Sequence, residues 1–206
     1  MPTKRKGILI TFEGTEGAGK STLIRKVDTA LRRHGQKTVL TREPGGSAVA
    51  EKIRKLILTQ TMDPWTEIFL YEAARAEHLD KIIRPALSKG KFVLCDRFTD
   101  SSLAYQSFAR KLPWQKIKLL NHIATQGLKP NLTILIDIDQ HIGLKRARTK
   151  NRFEEEGVAF HNRVRRGFFK ARAENHMRWF TLAGKLGTPD QMAEAVIKEI
   201  KKRFKL

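Results

Sequence analysis

The stretch Gly7-Ile-Leu-Ile-Thr-Phe12-Glu-Gly-Thr-Glu-Gly-Ala-Gly-Lys-Ser21-Thr22 decides the fold. Its first half is a compact apolar run bounded by Glu13 and Gly14, the pattern of a strand buried on both faces. Its second half fits G-x-x-x-x-G-K-[ST] at every fixed position, between a predicted strand and a predicted helix. Gly14, Thr15, Glu16, Gly17, Ala18 and Gly19 are expected to wrap so closely that backbone N–H groups face phosphate oxygens. The positive end of the following helix lies behind them. Lys20 is expected to reach the β- and γ-phosphates of a nucleotide, and Ser21, with Thr22 next to it, to supply a hydroxyl for a magnesium ion.

Outward from this loop, short apolar runs alternate with helical stretches. Ser21 to His34 carries Leu23, Val27, Ala30 and Leu31 at helical spacing, and Gly35 follows as a C-cap. Further strands are expected at Lys37 to Thr41, Phe92 to Cys95 and Leu132 to Ile136, with a weaker fifth at Trp179 to Leu182. Helices are expected near 47–59, 65–89, 114–126, 140–149, 158–176 and 190–203. Strands separated by helices imply an α/β fold with a parallel sheet and helices on both faces. Its carboxyl edge would collect Gly14, Arg42, Asp96 and Asp137. Asp96 and Asp137 both end apolar strands and are both candidates to assist the metal. Asp96 is preferred, because Arg97 follows it and puts a cation where a second phosphate would sit.

Composition narrows the partners. The chain has 206 residues, with 41 Lys and Arg against 21 Asp and Glu, a net charge of +20. Such a charge is compatible with nucleic-acid binding, with a basic solvated surface, or with phosphorylated small ligands. The single cysteine, Cys95, excludes a disulfide framework and a cysteine-rich zinc module. The histidines are scattered singly. No apolar run is long enough to span a membrane, and the one after the basic Met1 to Lys6 stops at Glu13, too short for a signal peptide. A soluble protein of the cytoplasm is expected, without a membrane partner. There is no repeat or low-complexity linker, so residues 1–206 read as one domain. Residues 141–176 hold ten Lys and Arg and four Glu, the make-up of a basic lid or of a solvated helix pair.

A phosphate loop implies a nucleotide without naming a reaction. The guanine-reading Asn-Lys-x-Asp of GTPases is absent. Three segments supply parts for an acceptor pocket: Thr41-Arg-Glu-Pro-Gly-Gly46, Tyr71-Glu-Ala-Ala-Arg75 and Asp96-Arg-Phe-Thr-Asp-Ser-Ser-Leu-Ala-Tyr-Gln106. The second sets an aromatic and an arginine four apart, on one helical face.

With these segments the chain closely resembles the thymidylate kinases, of the nucleoside monophosphate kinase group. Phe12 to Thr22, Thr41 to Gly46, Tyr71 to His78 and Asp96 to Gln106 carry the likeness. So do Leu144 to Arg148, Asn151-Arg-Phe-Glu154 and Phe160-His-Asn-Arg-Val-Arg165. The resemblance implies a P-loop fold with a five-stranded parallel sheet, a short mobile lid at about residues 149–161, and a homodimer. It implies magnesium-dependent transfer of the ATP γ-phosphate to dTMP, giving dTDP for dTTP biosynthesis. On it, Glu16 accepts the sugar 3′-hydroxyl, and Arg97 binds the acceptor phosphate with help from Arg42. Tyr71 stacks on thymine, Arg75 and Ser102 make polar contacts to the base, and Tyr105 crowds the 2′ position. Ser21 and Asp96 hold the metal, and Arg148 binds nucleotide.

One branch of the family carries an arginine at the position of Gly17. Here that position is empty of charge, so the chain falls in the lid-arginine, bacterial-like branch, with Arg152 as the catalytic cation and Arg148 or Lys150 as alternates. Some positions depart from the family pattern: Tyr71 for Phe, Ser107 for Gly, Asn131 and Asn151 for Asp, and Ala183 to Gly187 at the adenine site. The competing readings are a kinase for another pyrimidine monophosphate and a nucleic-acid-binding P-loop ATPase. Under the kinase reading nucleic acid binds only non-specifically, if at all.

Overall fold

The computed structural model describes residues 6–146, 152–153, 155–183 and 187–206. Five parallel strands form one sheet in the order β2-β3-β1-β4-β5. They are β1 Ile8–Glu13, β2 Thr38–Arg42, β3 Phe92–Asp96, β4 Leu132–Asp137 and β5 Trp179–Ala183. The central strand β1 is buried at every position, which is why its sequence is a nearly continuous apolar run rather than an alternation.

Alternate residues of β1 serve different cores. Ile8, Ile10 and Phe12 join Leu23, Val27 and Leu31 of α1 (Lys20–Arg33) and Val196 and Ile200 of α9 (Pro189–Phe204). Leu9 packs with Leu79, Ile83, Val93 and Phe98 in a second cluster. A third cluster lies under α8 (Val158–Glu174), around Tyr105, Phe153, Phe160 and Phe168. α2 (Ala48–Thr59), α3 (Pro64–His78) and α6 (Trp114–Thr125) pack in series at one side. Three of these helices start on side-chain caps: Ser47 for α2, Asp63 for α3, and Thr188 with Gln191 in a capping box for α9.

The register puts Phe12 of β1 and Arg42 of β2 both opposite Asp96 of β3. The loops after β1 and β3 therefore leave the sheet side by side, where the strand order reverses and a crevice opens.

Two helical stretches differ from the sequence expectation. The stretch expected as one helix over 65–89 is α3, a π turn at Leu79–Ile83, and α4 at Arg84–Ser88. The widened turn lies just ahead of Pro85, which has no N–H to give and whose ring crowds an ordinary helical ladder. After Asp96 the chain winds at once into α5 (Thr99–Ser102) and a π-helical segment, Leu103–Ala109, absent from the expected helices. Its buried face includes Ser101, Ser102, Gln106 and Ser107, so it shows no apolar period. α7 spans Gln140–Arg146. No helix among the described residues is long and apolar enough to cross a membrane.

Candidate active site

The phosphate loop runs from the end of β1 into α1. Gly17 has φ +67°, and a Cβ there would stand 1.8 Å from the Gly143 carbonyl oxygen of α7. In this packing position 17 has no room for a side chain, so any further cation over the loop must come from another segment. Lys20 is buried, and its Nζ donates to the Gly14 and Thr15 carbonyls at 3.1 and 2.9 Å. Burial first, and then the neighbouring Arg97, push its ammonium down to about 8, against the opposing pull of Asp96, Glu16 and Glu13.

Ser21 Oγ donates to Asp96 Oδ2 at 3.1 Å. Asp96 Oδ1 is buried without a hydrogen-bond partner. A hydroxyl beside a carboxylate with a spare buried oxygen is a donor set suited to a hard divalent cation. Asp137, the other strand-end aspartate, is instead held by Arg165 at 2.5 and 2.8 Å. Among the described residues no group of three or more His, Cys, Asp or Glu gathers as a metal cluster.

Next to this pair is a cavity of about 240 Å³, lined by the loop and by all three acceptor segments. Glu16 is its hub. Oε1 accepts from Arg97 Nη2 at 2.9 Å, Oε2 accepts from the Tyr105 hydroxyl at 2.6 Å, and His161 Nδ1 lies 3.2 Å from Oε2. Burial works against the Glu16 charge, but Arg97, His161, Lys20 and Tyr105 outweigh it and hold the carboxyl well below the usual range. The Arg97 guanidinium lies 4.9 Å above the centre of the Tyr105 ring and also donates to the Gly14 carbonyl at 3.0 Å. That ring is buried edge-on against Phe153, Phe160 and Phe168.

Tyr71 and Arg42 line the same cavity, Arg42 paired with Glu51 at 3.0 Å. Arg75 and Ser102 are placed otherwise than expected. Arg75 is 1% exposed, and all its N–H groups are used, on Glu43, Glu72, Asn121, the Phe98 carbonyl and Ser102 Oγ. Neither it nor Ser102 lies on the cavity wall. A guanidinium this deep needs carboxylates around it, and Glu43 and Glu72 hold its pKa above the usual arginine value despite burial.

Arg152, the expected lid arginine, is likewise absent from the cavity wall. Arg152 Nε donates to the Ile57 carbonyl at 2.5 Å, Nη2 lies 2.7 Å from Glu67 Oε2, and the guanidinium covers the Phe153 ring at 4.5 Å. His161 Nε2 lies 2.9 Å from the Phe153 carbonyl oxygen, so one buried imidazole spans from Phe153 to Glu16. Arg148, Lys150, Asn151 and Glu154, and Gly184 to Leu186 at the adenine site, lie outside the described residues.

Several groups in and around the cavity had no role in the sequence reading. Arg54 lines it and donates to the Pro44 carbonyl at 2.8 Å; Gln106 lines it and donates to the buried Glu67 at 2.8 Å. Phe153 closes one side and His161 stands behind Glu16. Gln106, Phe153 and His161 lay in quoted motifs without a role of their own; Arg54 is one of many cations on an amphipathic helix and gives no separate signal.

A sequence model of the thymidylate kinase family matches residues 12–194. Similar proteins include the thymidylate kinase of Pelobacter propionicus, 41% identical over 94% of each chain. That of Bacillus licheniformis is 44% identical over 94% of this chain and 93% of its own. The crystal structure of thymidylate kinase from Ehrlichia chaffeensis is similar with a TM-score of 0.80. It is 32% identical and covers 95% of this chain and 99% of that one.

Proposed function

The chain belongs to the thymidylate kinase family, and on that premise we propose how its residues divide the transfer of the ATP γ-phosphate to dTMP. The enzyme is an ATP-dependent nucleoside monophosphate kinase, and its product dTDP feeds dTTP biosynthesis. Phosphoryl transfer asks a protein mainly for positioning and for cations around the moving charge.

The backbone of residues 14–19 cradles the ATP phosphates, and Lys20 leaves its two carbonyls to meet them. Ser21 and Asp96 hold Mg²⁺, which when bound neutralises phosphate charge. The orphaned Asp96 oxygen supports that fit. Arg97, steadied by Glu16 and the Tyr105 ring, takes the acceptor phosphate, with Arg42 and Arg54 on the same rim. A carboxylate offers about four acceptor positions, and the contacts at Glu16 leave one for the sugar 3′-hydroxyl. Tyr71 stacks on the base. Arg75 and Ser102 serve the base by fixing the wall behind it. Arg152, released from Glu67 as residues 149–161 close, brings the missing cation to the γ-phosphate.

We further propose a homodimer in the cytoplasm. The serially packed α2, α3 and α6 each expose apolar side chains, Leu56, Phe69, Leu119 and Ile123 among them, as helices awaiting a partner surface do.

One observation carries the assignment. The Ser21–Asp96 pair and the Glu16–Arg97–Tyr105 cluster share a single cavity, so a nucleotide donor and a phosphorylated acceptor meet there. The test is turnover of dTMP, dUMP, dCMP and UMP with Mg-ATP, alongside DNA-stimulated ATP hydrolysis. Fastest turnover of dTMP is expected. Faster turnover of another monophosphate, or hydrolysis that needs DNA and no acceptor, would overturn the reading.

A further inference from the structure

A carboxylate that the transfer itself does not use lies behind the acceptor arginine. Glu13 ends β1 and is fully buried. Apart from Thr11, every other residue of that strand is apolar, and an ionisable group so deep is costly unless its oxygens are satisfied. They are satisfied by one short segment. Oε1 accepts the Phe98 backbone N–H at 2.8 Å, and Oε2 accepts the Ser101 hydroxyl at 2.6 Å.

That segment is the turn from β3 into α5, and it holds a strained residue. Arg97 has φ +68°, in the left-handed region that non-glycine residues rarely adopt, and such conformations persist only where the surroundings enforce them. β1 grips the turn on both sides of the strain. The Arg97 N–H donates to the Phe12 carbonyl at 3.0 Å, and the next N–H, of Phe98, goes to Glu13. Ser101 Oγ, held by Glu13, lies 3.4 Å from Arg97 Nη1 and accepts from it. Glu13 thus touches the arginine's backbone through one neighbour and its guanidinium through another.

We propose that Glu13 is a positioning residue for the acceptor substrate. It clamps the turn from Phe98 to Ser101, so that Arg97 keeps its left-handed backbone and presents its guanidinium to the acceptor phosphate. The inference rests on the reading of Arg97 as the acceptor-phosphate arginine. Burial, and next the charge of Asp100, push the Glu13 carboxyl up to about 8. Glutamine keeps its shape. Its carbonyl replaces the acceptor for Phe98, and its amide N–H₂ donates to Ser101 Oγ in place of the reverse bond.

The experiment compares Glu13→Ala, Glu13→Gln, Ser101→Ala and Arg97→Ala by steady-state kinetics with dTMP and ATP varied separately. A misplacement of about 1 Å at a positioning group can cost about a hundredfold. Glu13→Ala is expected to raise the KM for dTMP by about tenfold or more and leave that for ATP within about twofold. Glu13→Gln should restore most of the loss, and Ser101→Ala should show a smaller rise in the same direction. In an Arg97→Ala background, Glu13→Ala should add almost nothing, because both changes remove one function.

Parallel rises for ATP and dTMP in Glu13→Ala, or its full effect on top of Arg97→Ala, overturn the clamp. So does a dTMP KM unchanged in Glu13→Ala, or in Ser101→Ala should Glu13→Ala fail to fold. An unchanged dTMP KM in Arg97→Ala itself instead defeats the reading of Arg97.

Discussion

Replacing Glu16 with glutamine removes one charge from the most crowded point of the acceptor site and leaves its shape almost intact. In the parent, the carboxylate takes Arg97 at 2.9 Å and Tyr105 at 2.6 Å, with His161 at 3.2 Å. The glutamine carbonyl will keep Arg97, and its N–H₂ will turn to Tyr105, whose hydroxyl can accept. The position proposed for the sugar hydroxyl then meets a neutral group. A hydrogen bond to a charged group contributes about 1.5–3 kcal/mol, and one between neutral groups about 0.5–1.5 kcal/mol.

The parent should therefore favour dTMP over its 3′-deoxy analogue by about ten- to a hundredfold in kcat/KM, and Glu16→Gln by only about two- to tenfold. Steady-state kinetics on the two acceptors gives the ratio directly. A folded Glu16→Gln enzyme with the parent's ratio would remove Glu16 from the sugar site. The same variant has a pH signature. Because its neighbours hold the folded Glu16 carboxyl below its unfolded value, the charge stabilises the fold above an unfolded pKa of about 4.3. That contribution is lost as pH falls through the lower folded value. Between about pH 5 and about pH 3 the parent's melting temperature should fall more steeply than the variant's. Equal slopes would show that the ring of donors around Glu16 does not stabilise its charge.

Lys20→Ala should stay folded and lose at least about a thousandfold in kcat, and activity within about tenfold of the parent would contradict the loop assignment. Since the Lys20 ammonium is held near 8 before phosphates arrive, ATP affinity should fall as pH rises past that value, and binding should take up a proton. Calorimetry in buffers of different ionisation heat reads this, and zero uptake at about pH 9 would refute it. Tyr105→Ala should narrow the preference for deoxy- over ribonucleotide acceptors, whereas Tyr105→Phe should keep the preference and raise the KM for dTMP through the lost bond to Glu16. An unchanged preference in folded Tyr105→Ala makes the ring a core residue only. Arg152→Ala should lose about a hundredfold in kcat with little change in ATP affinity, while Glu67→Gln, which weakens the hold on Arg152 and on Arg110 and keeps a carbonyl to accept from Gln106, should lose far less. Equal losses in the two variants would make Arg152 a brace for the lid.

The features legible in the sequence are those written in local backbone terms. The phosphate loop is a run of glycines whose conformations the chain itself imposes, and the strands are apolar runs closed by turns, so the parallel sheet and the loop at its carboxyl edge could be read directly. Even the barred side chain at Gly17 was visible as a missing arginine, although the cause, the Gly143 backbone beneath it, belongs to a helix far along the chain. The residues that escaped are those whose meaning is set by depth. Glu13 reads as the polar end of a strand, and nothing near it announces that Phe98 and Ser101 will fold onto it.

Arg75 shows the same limit from the other side. Four residues from Tyr71, it shares a helix face with it, and a common destination in the pocket follows from that spacing alone. One turn of α3, however, separates a side chain on the cavity wall from one enclosed behind it. Once enclosed, a guanidinium must gather carboxylates, and Arg75 draws Glu43 and Glu72 to itself. Glu43 belongs to the turn after β2 that also lines the cavity, so Arg75 ties that turn to α3, to Ser102 of α5 and to Asn121 of α6. On the proposed stacking of the base against Tyr71, base selectivity is expected to depend on Arg75 through the rigidity of this wall, since Tyr71 and the turn at Pro44 line the same cavity in front of it.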